Sequence, residues 1–306
     1  MKKILILGGG FSKERAISLD TAKSVLKALK KKGYEAIICE PDGQLIKKIK
    51  SFKPNVVFNA LHGRFGEDGY VQILLETLKV KYTHSGVLAS HIAMDKEVSK
   101  KLFIKNNIKT PKYIKYKFGK GDIIIKKKIT KIKKKLKFPV VIKPINEGSS
   151  VDVYICDEKN LIKNLKKLSQ YGEILIEEFI PGREIQVAIL GKKKLGAIEL
   201  RPKRKFYDYE AKYNSKAATK HIIPVKLNKK DLNKVMNIAF KAHNLIGCKG
   251  VTRSDFKFNK GKFYLLETNT QPGMTKLSLV PEIAAYMGMS FVELVEWIIE
   301  DASINR

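Results

Sequence analysis

The sequence predicts an α/β protein that turns to α+β after its first third, and three observations predict it. Short apolar runs alternate with stretches of helical periodicity at the start of the chain. Further along, apolar runs meet at tight polar turns, as antiparallel strands do. A length of 306 residues with 44% hydrophobic and 30% charged content suits a globular chain of two or three domains with ample core.

The elements follow in order. "KILIL" reads as a buried strand ending in "GGG", and the stretch from about Lys13 to Lys32 reads as a helix. Ala16, Leu19, Ala22, Val25, Leu26 and Leu29 recur there at helical spacing, and Gly33 closes it. "YEAIICE" and "PNVVFNAL" are two more short strands, with Asp42 to Phe52 between them. That alternation is the βαβ pattern of a parallel sheet covered by helices. "GYVQILLETLK" is a further helix and "KYTHSG" leads out of it, which sets a first unit at residues 1–93.

A second unit, 94–181, opens with "MDKEVSKKLFIKNNIKTPKYI", a helix followed by a turn at Pro111. The lysine-rich "IIIKKKITKIKKKLKFP" places Ile129, Ile132 and Leu136 on one stripe of a solvated helix. Next come the strand "PVVIKP", the small-residue loop "INEGSSVDV", and "EILIEEFIPGREIQVAIL", two strands around a Pro-Gly turn. A third unit, 182–306, contains the hairpin "RSDFKFNKGKFYLLETNTQPG" and the last helices, "LSLVPEIAAYMG" and "SFVELVEWIIED".

Composition excludes several classes. The formal charge of +31 suggests an anionic partner, but only seven of the 61 basic residues are arginine and they spread along the whole chain. Scattered lysine beside many Ile and Asn residues fits the codon composition of an AT-rich genome, so no nucleic-acid partner is expected. No apolar run approaches the ~20 residues of a membrane span, and "MKKILILGGG" lacks the roughly 7–15 apolar residues of a secretory leader. Cys39, Cys156 and Cys248 match no zinc or redox spacing and suit a reducing cytoplasm.

Chemistry concentrates in the hairpin. Asp255 lies on one strand and Glu267 and Asn269 on the other, where alternation sends 267 and 269 to one face. Two carboxylates and an amide oxygen make a hard, oxygen-only site suited to Mg²⁺, completed by water and substrate phosphates. Arg253 shares a face with Asp255, so a cation and a metal could bracket one phosphate. "NEGSSVDV" follows the strand carrying Lys143 and offers backbone N–H groups to phosphate oxygens, although it is no P-loop. "LGGGFSKER" lacks the dinucleotide glycine spacing and reads as a tight strand-to-helix turn. "HGRFGEDG" sets His62, Glu67 and Asp68 among glycines at a strand end, where sites on α/β sheets gather.

Together, "HGRFGEDGYVQ", "SGVLAS…AMDK", "KPINEGSSV", "FYDYEAKY", "RSDF" and "ETNTQPGMTKLSLVP" resemble the D-alanine–D-alanine ligases of the ATP-grasp superfamily, in that family's order and over nearly the whole chain. The resemblance implies a three-domain ATP-grasp fold, a parallel-sheet N-terminal (pre-ATP-grasp) domain followed by two antiparallel sheets that hold ATP. It implies a cytoplasmic enzyme of peptidoglycan synthesis that joins two D-alanines through an acyl phosphate. Asp255, Glu267 and Asn269 would hold two Mg²⁺ ions, or Mn²⁺, on the ATP phosphates, with Glu267 bridging. Arg253 and the Gly273 N–H would bind the oxyanion of the tetrahedral intermediate.

By the same resemblance, Lys96 and Lys143 contact ATP phosphates, Glu177 and the backbone around Glu178, Phe179 and Ile180 meet adenine, and Glu184 meets the ribose. Glu14 holds the first ammonium with His62 nearby; Ser149 and Tyr213 join Glu14 in positioning the second amine; Lys212 and Ser278 take the second carboxylate. A tyrosine at 213 favours an amine over a hydroxy acid, and "FYDYEAKYNSK" is expected to be a lid. The family is often dimeric, so a homodimer is an expectation.

Four positions depart from the family pattern: Asp152 for glycine in the phosphate loop, Ile73 for glycine, Ser254 for valine and Leu277 for histidine. They bear on nucleotide affinity and loop motion, and none removes a metal ligand or Arg253. A related ATP-grasp ligase with other amino-acid preferences would share these residues and is the competing reading. A nucleic-acid-binding protein is the reading from another class.

Overall fold

The computed structural model describes residues 2–119, 122–148, 150–202, 219–275 and 277–306. Three sheets carry the described fold. Strands β1 (Lys3–Leu7), β2 (Glu35–Cys39) and β3 (Val56–Asn59) pair in parallel in the order β2-β1-β3. Helices α1 (Arg15–Lys31), α2 (Leu45–Phe52), α3 (Tyr70–Thr77) and α4 (Val87–Met94) accompany them. Alternation in β1 sends Leu5 and Leu7 to a core with Leu45, Ile49 and Leu75, and Ile4 and Ile6 to the opposite core with α1.

The second sheet is antiparallel, β4 (Tyr113–Lys117), β7 (Glu173–Glu178), β5 (Val140–Pro144) and β6 (Tyr154–Cys156) in that spatial order. Helices α5 (Lys96–Lys105), α6 (Asp122–Lys135) and α7 (Leu161–Lys167) belong to this part of the chain. Ile132 and Leu136 are buried with Val140, Ile142 and Ile176, as the stripe predicts. Asp95 caps α5 by accepting from the Glu97 and Val98 N–H groups, which fixes where the lysines of that helix point.

The third sheet is also antiparallel, in the order β10-β9-β8-β11-β12. Its strands are β8 (Arg183–Leu190), β9 (Lys193–Arg201), β10 (Lys220–Ile222), β11 (Val251–Asn259) and β12 (Lys262–Asn269). Helix α8 (Lys229–Ile246) packs Val235, Ala239 and Ala242 against Ile185, Val187, Phe256 and Leu265. The sequence reading passed over α8, yet its signals were present. The Asn228 side chain accepts from the Asp231 N–H at one end and Gly247 closes the other at φ 81°.

Two features of the packing connect these sheets. The strands around Pro181-Gly182 do not pair with each other: β7 belongs to the second sheet and β8 to the third, so the turn is the passage between sheets. Gly182 is required there, because at φ +114° a Cβ would lie 2.3 Å from the Phe258 carbonyl oxygen. The first and third units also share one core. Helices α9 (Leu279–Tyr286) and α10 (Phe291–Glu300) place Ile283, Leu294, Val295 and Ile298 in the cluster that holds Ile4, Ile6, Val25 and Leu29.

Candidate active site

The hairpin β11–β12 turns at Lys260 and Gly261, both left-handed at φ 47° and 72°, the paired geometry of a two-residue connection. Its register sets Asp255 opposite Glu267 and Arg253 opposite Asn269. Strict alternation from the fully buried Leu265 would drive Glu267 and Asn269 into the core. A register shift between Asp255 and Phe256 prevents this by leaving one extra residue, Leu266, in β12. Beyond that bulge, Glu267 and Asn269 face the cleft beside Asp255. The bulge is what the alternation argument missed, and it turns the oxygen-bearing side chains of β12 to the face that carries Asp255.

Arg253 is held from two sides. Its Nε donates to Asp255 Oδ1 at 2.8 Å and to Gln186 Oε1 at 3.1 Å, and its Nη2 donates to Asp255 Oδ2 at 3.1 Å. The Asn269 side-chain oxygen accepts from the Gln271 N–H at 2.7 Å, which fixes its direction. Two carboxylates and an oriented amide oxygen on one face fit a hard divalent cation.

Two chambers flank the hairpin. The nucleotide-sized one has an empty volume of about 760 Å³ and lies between the second and third sheets. Lys143, Glu177, Glu178, Phe179, Ile180, Glu184 and Asp255 line it, so the residues expected at ATP come together. Lys143 Nζ donates to Glu177 Oε1 at 2.6 Å, and Lys257, which the sequence reading did not single out, lies 2.8 Å from Glu184 Oε2. The Glu178 and Phe179 N–H groups donate to the Lys112 and Pro139 carbonyls, which tethers the inter-sheet passage.

The second chamber, about 910 Å³, is lined by Glu14, His62, Arg253, Asn269, Gly273 and Ser278 among others. His62 is buried, its Nε2 3.1 Å from Thr21 Oγ1 and its Nδ1 3.5 Å from Glu67 Oε1. Ser278 Oγ accepts from the Thr275 N–H at 2.9 Å. A Cβ on Gly148 would lie 2.7 Å from Glu14 Oε2, so the loop after β5 comes this close to Glu14 only because residue 148 is glycine. Lys96, Glu147 and Glu267 line both chambers. Lys96 Nζ donates to the Glu147 carbonyl at 2.6 Å and lies 3.6 Å from Glu267 Oε2. Ser149, Lys212 and Tyr213, and with them most of the expected lid, lie outside the described residues.

The departures find physical reasons in part. Asp152 adopts φ 54°, as expected of aspartate in a glycine position. Its carboxylate accepts from Tyr171 at 2.5 Å and Tyr154 at 3.2 Å and pairs with Lys13 at 3.3 Å. The charge is therefore taken up in a contact between the loop and the start of the first helix. With the Lys13 side chain 59% exposed, that pair is worth about 1 kcal/mol or less. Asp152→Gly keeps the backbone and is expected to raise the ATP KM by at most roughly fivefold. Steady-state kinetics at low and high salt check this, the effect fading as salt rises. Buried Ser254 shares a hydrogen bond with Thr268 Oγ1 at 2.9 Å, whereas Ile73 and Leu277 are exposed and nothing in the structure explains them.

Two antiparallel sheets that clasp a nucleotide-sized cleft, with hairpin acids and lysines turned into it, define an ATP-grasp fold. Residues 102–300 match the family model described as D-ala D-ala ligase C-terminus. The D-alanine–D-alanine ligase of Pelagibacter ubique (strain HTCC1062) is 70% identical, over 100% of this chain and 99% of its own. That of Wolbachia pipientis wMel is 46% identical, over 98% and 94%. The Bacillus anthracis D-alanine–D-alanine ligase solved in complex with ATP superposes with a TM-score of 0.83 at 29% identity, covering 98% of this chain and 97% of that one. A second structure of the same enzyme gives 0.84 at 32% identity over the same shares. The chain belongs to the D-alanine–D-alanine ligase family.

Proposed function

We propose that this chain uses ATP to join two D-alanines into D-alanyl-D-alanine, a precursor for peptidoglycan. The observation that carries the reading is the wall shared by the two chambers. Lys96, Glu147 and Glu267 border both, so a terminal phosphate in one can meet a carboxylate in the other.

In the first step a carboxylate oxygen of the first D-alanine forms a bond to the γ-phosphorus, and the bond from that phosphorus to the β,γ-bridging oxygen breaks, releasing ADP. In the second step the free amine of the second D-alanine attacks the acyl carbon. The carbon–oxygen bond to phosphate then breaks, phosphate leaves and the amine gives up its proton. Both steps bring anions together, so fixed positive charge must stand where negative charge builds. Lys96 and Lys143 serve the phosphates, while Arg253 and the Gly273 N–H serve the oxyanion. Glu14, with His62 nearby, holds the first ammonium; Ser278 and Lys212 take the second carboxylate; Ser149 and Tyr213 extend the set around Glu14. Glu177, with the backbone of Glu178, Phe179 and Ile180, receives the base, and Glu184 the ribose. Asp255, Glu267 and Asn269 would hold two Mg²⁺ ions, for which Mn²⁺ is an alternative; bound there, the ions would neutralise the phosphates.

The division into 1–93, 94–181 and 182–306, a cytoplasmic location and a homodimer complete the proposal. The sheets fall one within each range. No helix among the described residues is long and apolar enough to cross a membrane.

Phosphate release from Mg·ATP, measured in parallel with D-alanine, L-alanine and D-lactate, tests the function. Turnover with D-alanine alone and formation of the dipeptide are expected. Release that depends on a different amino-acid pair would instead assign a sister ligase of the same fold.

A further inference from the structure

Lys100 lies on α5 next to the nucleotide chamber and is fully buried, out of reach of any ligand. Its Nζ lies 2.9 Å from Glu177 Oε2 and donates to Thr110 Oγ1 at 2.6 Å, with the Tyr113 ring centroid 5.6 Å away. Lys143 holds the other Glu177 oxygen at 2.6 Å. One buried carboxylate is therefore clamped between two ammonium groups, and only Lys143 lines the chamber. Burying such charges is costly, and a well-packed apolar group replacing the whole cluster is often at least as stable, so stability alone is a weak reason for a lysine here. Burial pushes the Lys100 pKa down to about 8. Burial alone would raise that of Glu177, but the two lysines outweigh it and hold the carboxyl below its usual range.

A carboxylate so held accepts hydrogen bonds and donates none. A purine with an amino group at C6 can donate to it. One with a carbonyl at C6 would set oxygen against oxygen, and such mismatched buried groups discriminate strongly. We propose that Lys100 is a positioning residue that fixes the preference for a 6-amino purine nucleotide, by keeping Glu177 in one orientation and in its acceptor-only form. This rests on the reading above that Glu177 faces the base.

The test compares kcat/KM for Mg·ATP and Mg·ITP, which differ at C6, at saturating D-alanine. The wild type is expected to prefer ATP strongly. Lys100→Met should lower the ATP-to-ITP ratio by roughly tenfold or more, because Glu177 then loses one clamp and gains access to its protonated form. Lys100→Arg, which keeps the cation, should retain most of the preference. Should Lys100→Met fail to fold, Lys100→Gln, one atom shorter but still polar and without charge, decides the question in its place. An unchanged ratio in the neutral variant overturns the proposal, even where its melting temperature falls, since a buried pair with only a structural role moves stability and not base choice. Glu177→Gln separates the two layers. If it leaves the ratio unchanged, Glu177 does not face the base and the underlying reading fails. If it relaxes the ratio while the neutral Lys100 variant does not, only the role of Lys100 is lost.

Discussion

Glu267→Gln is expected to lower kcat by roughly a thousandfold or more, with the fold intact. The two side chains have nearly the same shape, so packing around β12 changes little, and the variant should keep its melting temperature. What it loses is one of the two facing negative charges of the hairpin, at the point 3.6 Å from Lys96 where the chambers meet. If Glu267 holds cations as proposed, no neighbour can substitute for it, because Asp255 is already engaged by Arg253 and Asn269 is neutral. The residual rate should recover partly at high Mg²⁺, as expected when the affinity of a cation site falls. Steady-state phosphate release across a Mg²⁺ series measures both effects. A rate within roughly threefold of wild type would remove the hairpin from the reaction centre.

Arg253→Ala should cost ~3–4 kcal/mol of transition-state stabilisation, a fall of roughly a hundred- to a thousandfold in kcat with smaller changes in either KM. The guanidinium is fixed before substrate arrives, by Asp255 on its own strand and Gln186 on β8, and little reorganisation is left for the reaction step. Its removal also exposes the Asp255 carboxylate to the incoming anions without a counter-charge. Arg253→Lys is expected to rescue poorly, since an ammonium cannot keep the two-pronged contact to Asp255 while facing the substrate. ADP formation without matching dipeptide would show that the second step suffers most. A variant that changed only KM would place Arg253 in binding and not in stabilisation of the oxyanion.

The fold class and the grouping of the candidate site's hairpin residues were both legible in the sequence, whereas local irregularities were not. Asp255, Glu267, Asn269 and Arg253 were legible because oxygen-bearing side chains stand out in an apolar hairpin, and the "NKG" turn announces which strands meet. The bulge at Leu266 was not legible, since a one-residue shift of register is decided by how Leu265 seats against α8 and not by any local residue preference. Likewise "EILIEEFIPGREIQVAIL" shows two strands and a turn, but only the packing reveals that the Phe258 carbonyl leaves no room for a side chain at Gly182. Lys100 was hidden for a different reason. In a chain with 61 basic residues, one more lysine on a helix reads as solvated surface, and nothing short of its burial distinguishes it from Lys101 beside it.

The core shared by α1, α9 and α10 has a consequence for how the chain comes into being. Synthesis delivers β1, α1 and β3 well before α10, yet the apolar side of that sheet is completed by Leu294, Val295 and Ile298 of that later helix. Tyr82 likewise pairs with Ser303, and the Arg306 carbonyl closes against Gly86. A ribosome that stops before α10 therefore releases an amino-terminal layer with its hydrophobic face open to water. The layer that carries Glu14 and His62 thus waits for α10 before its apolar face is covered.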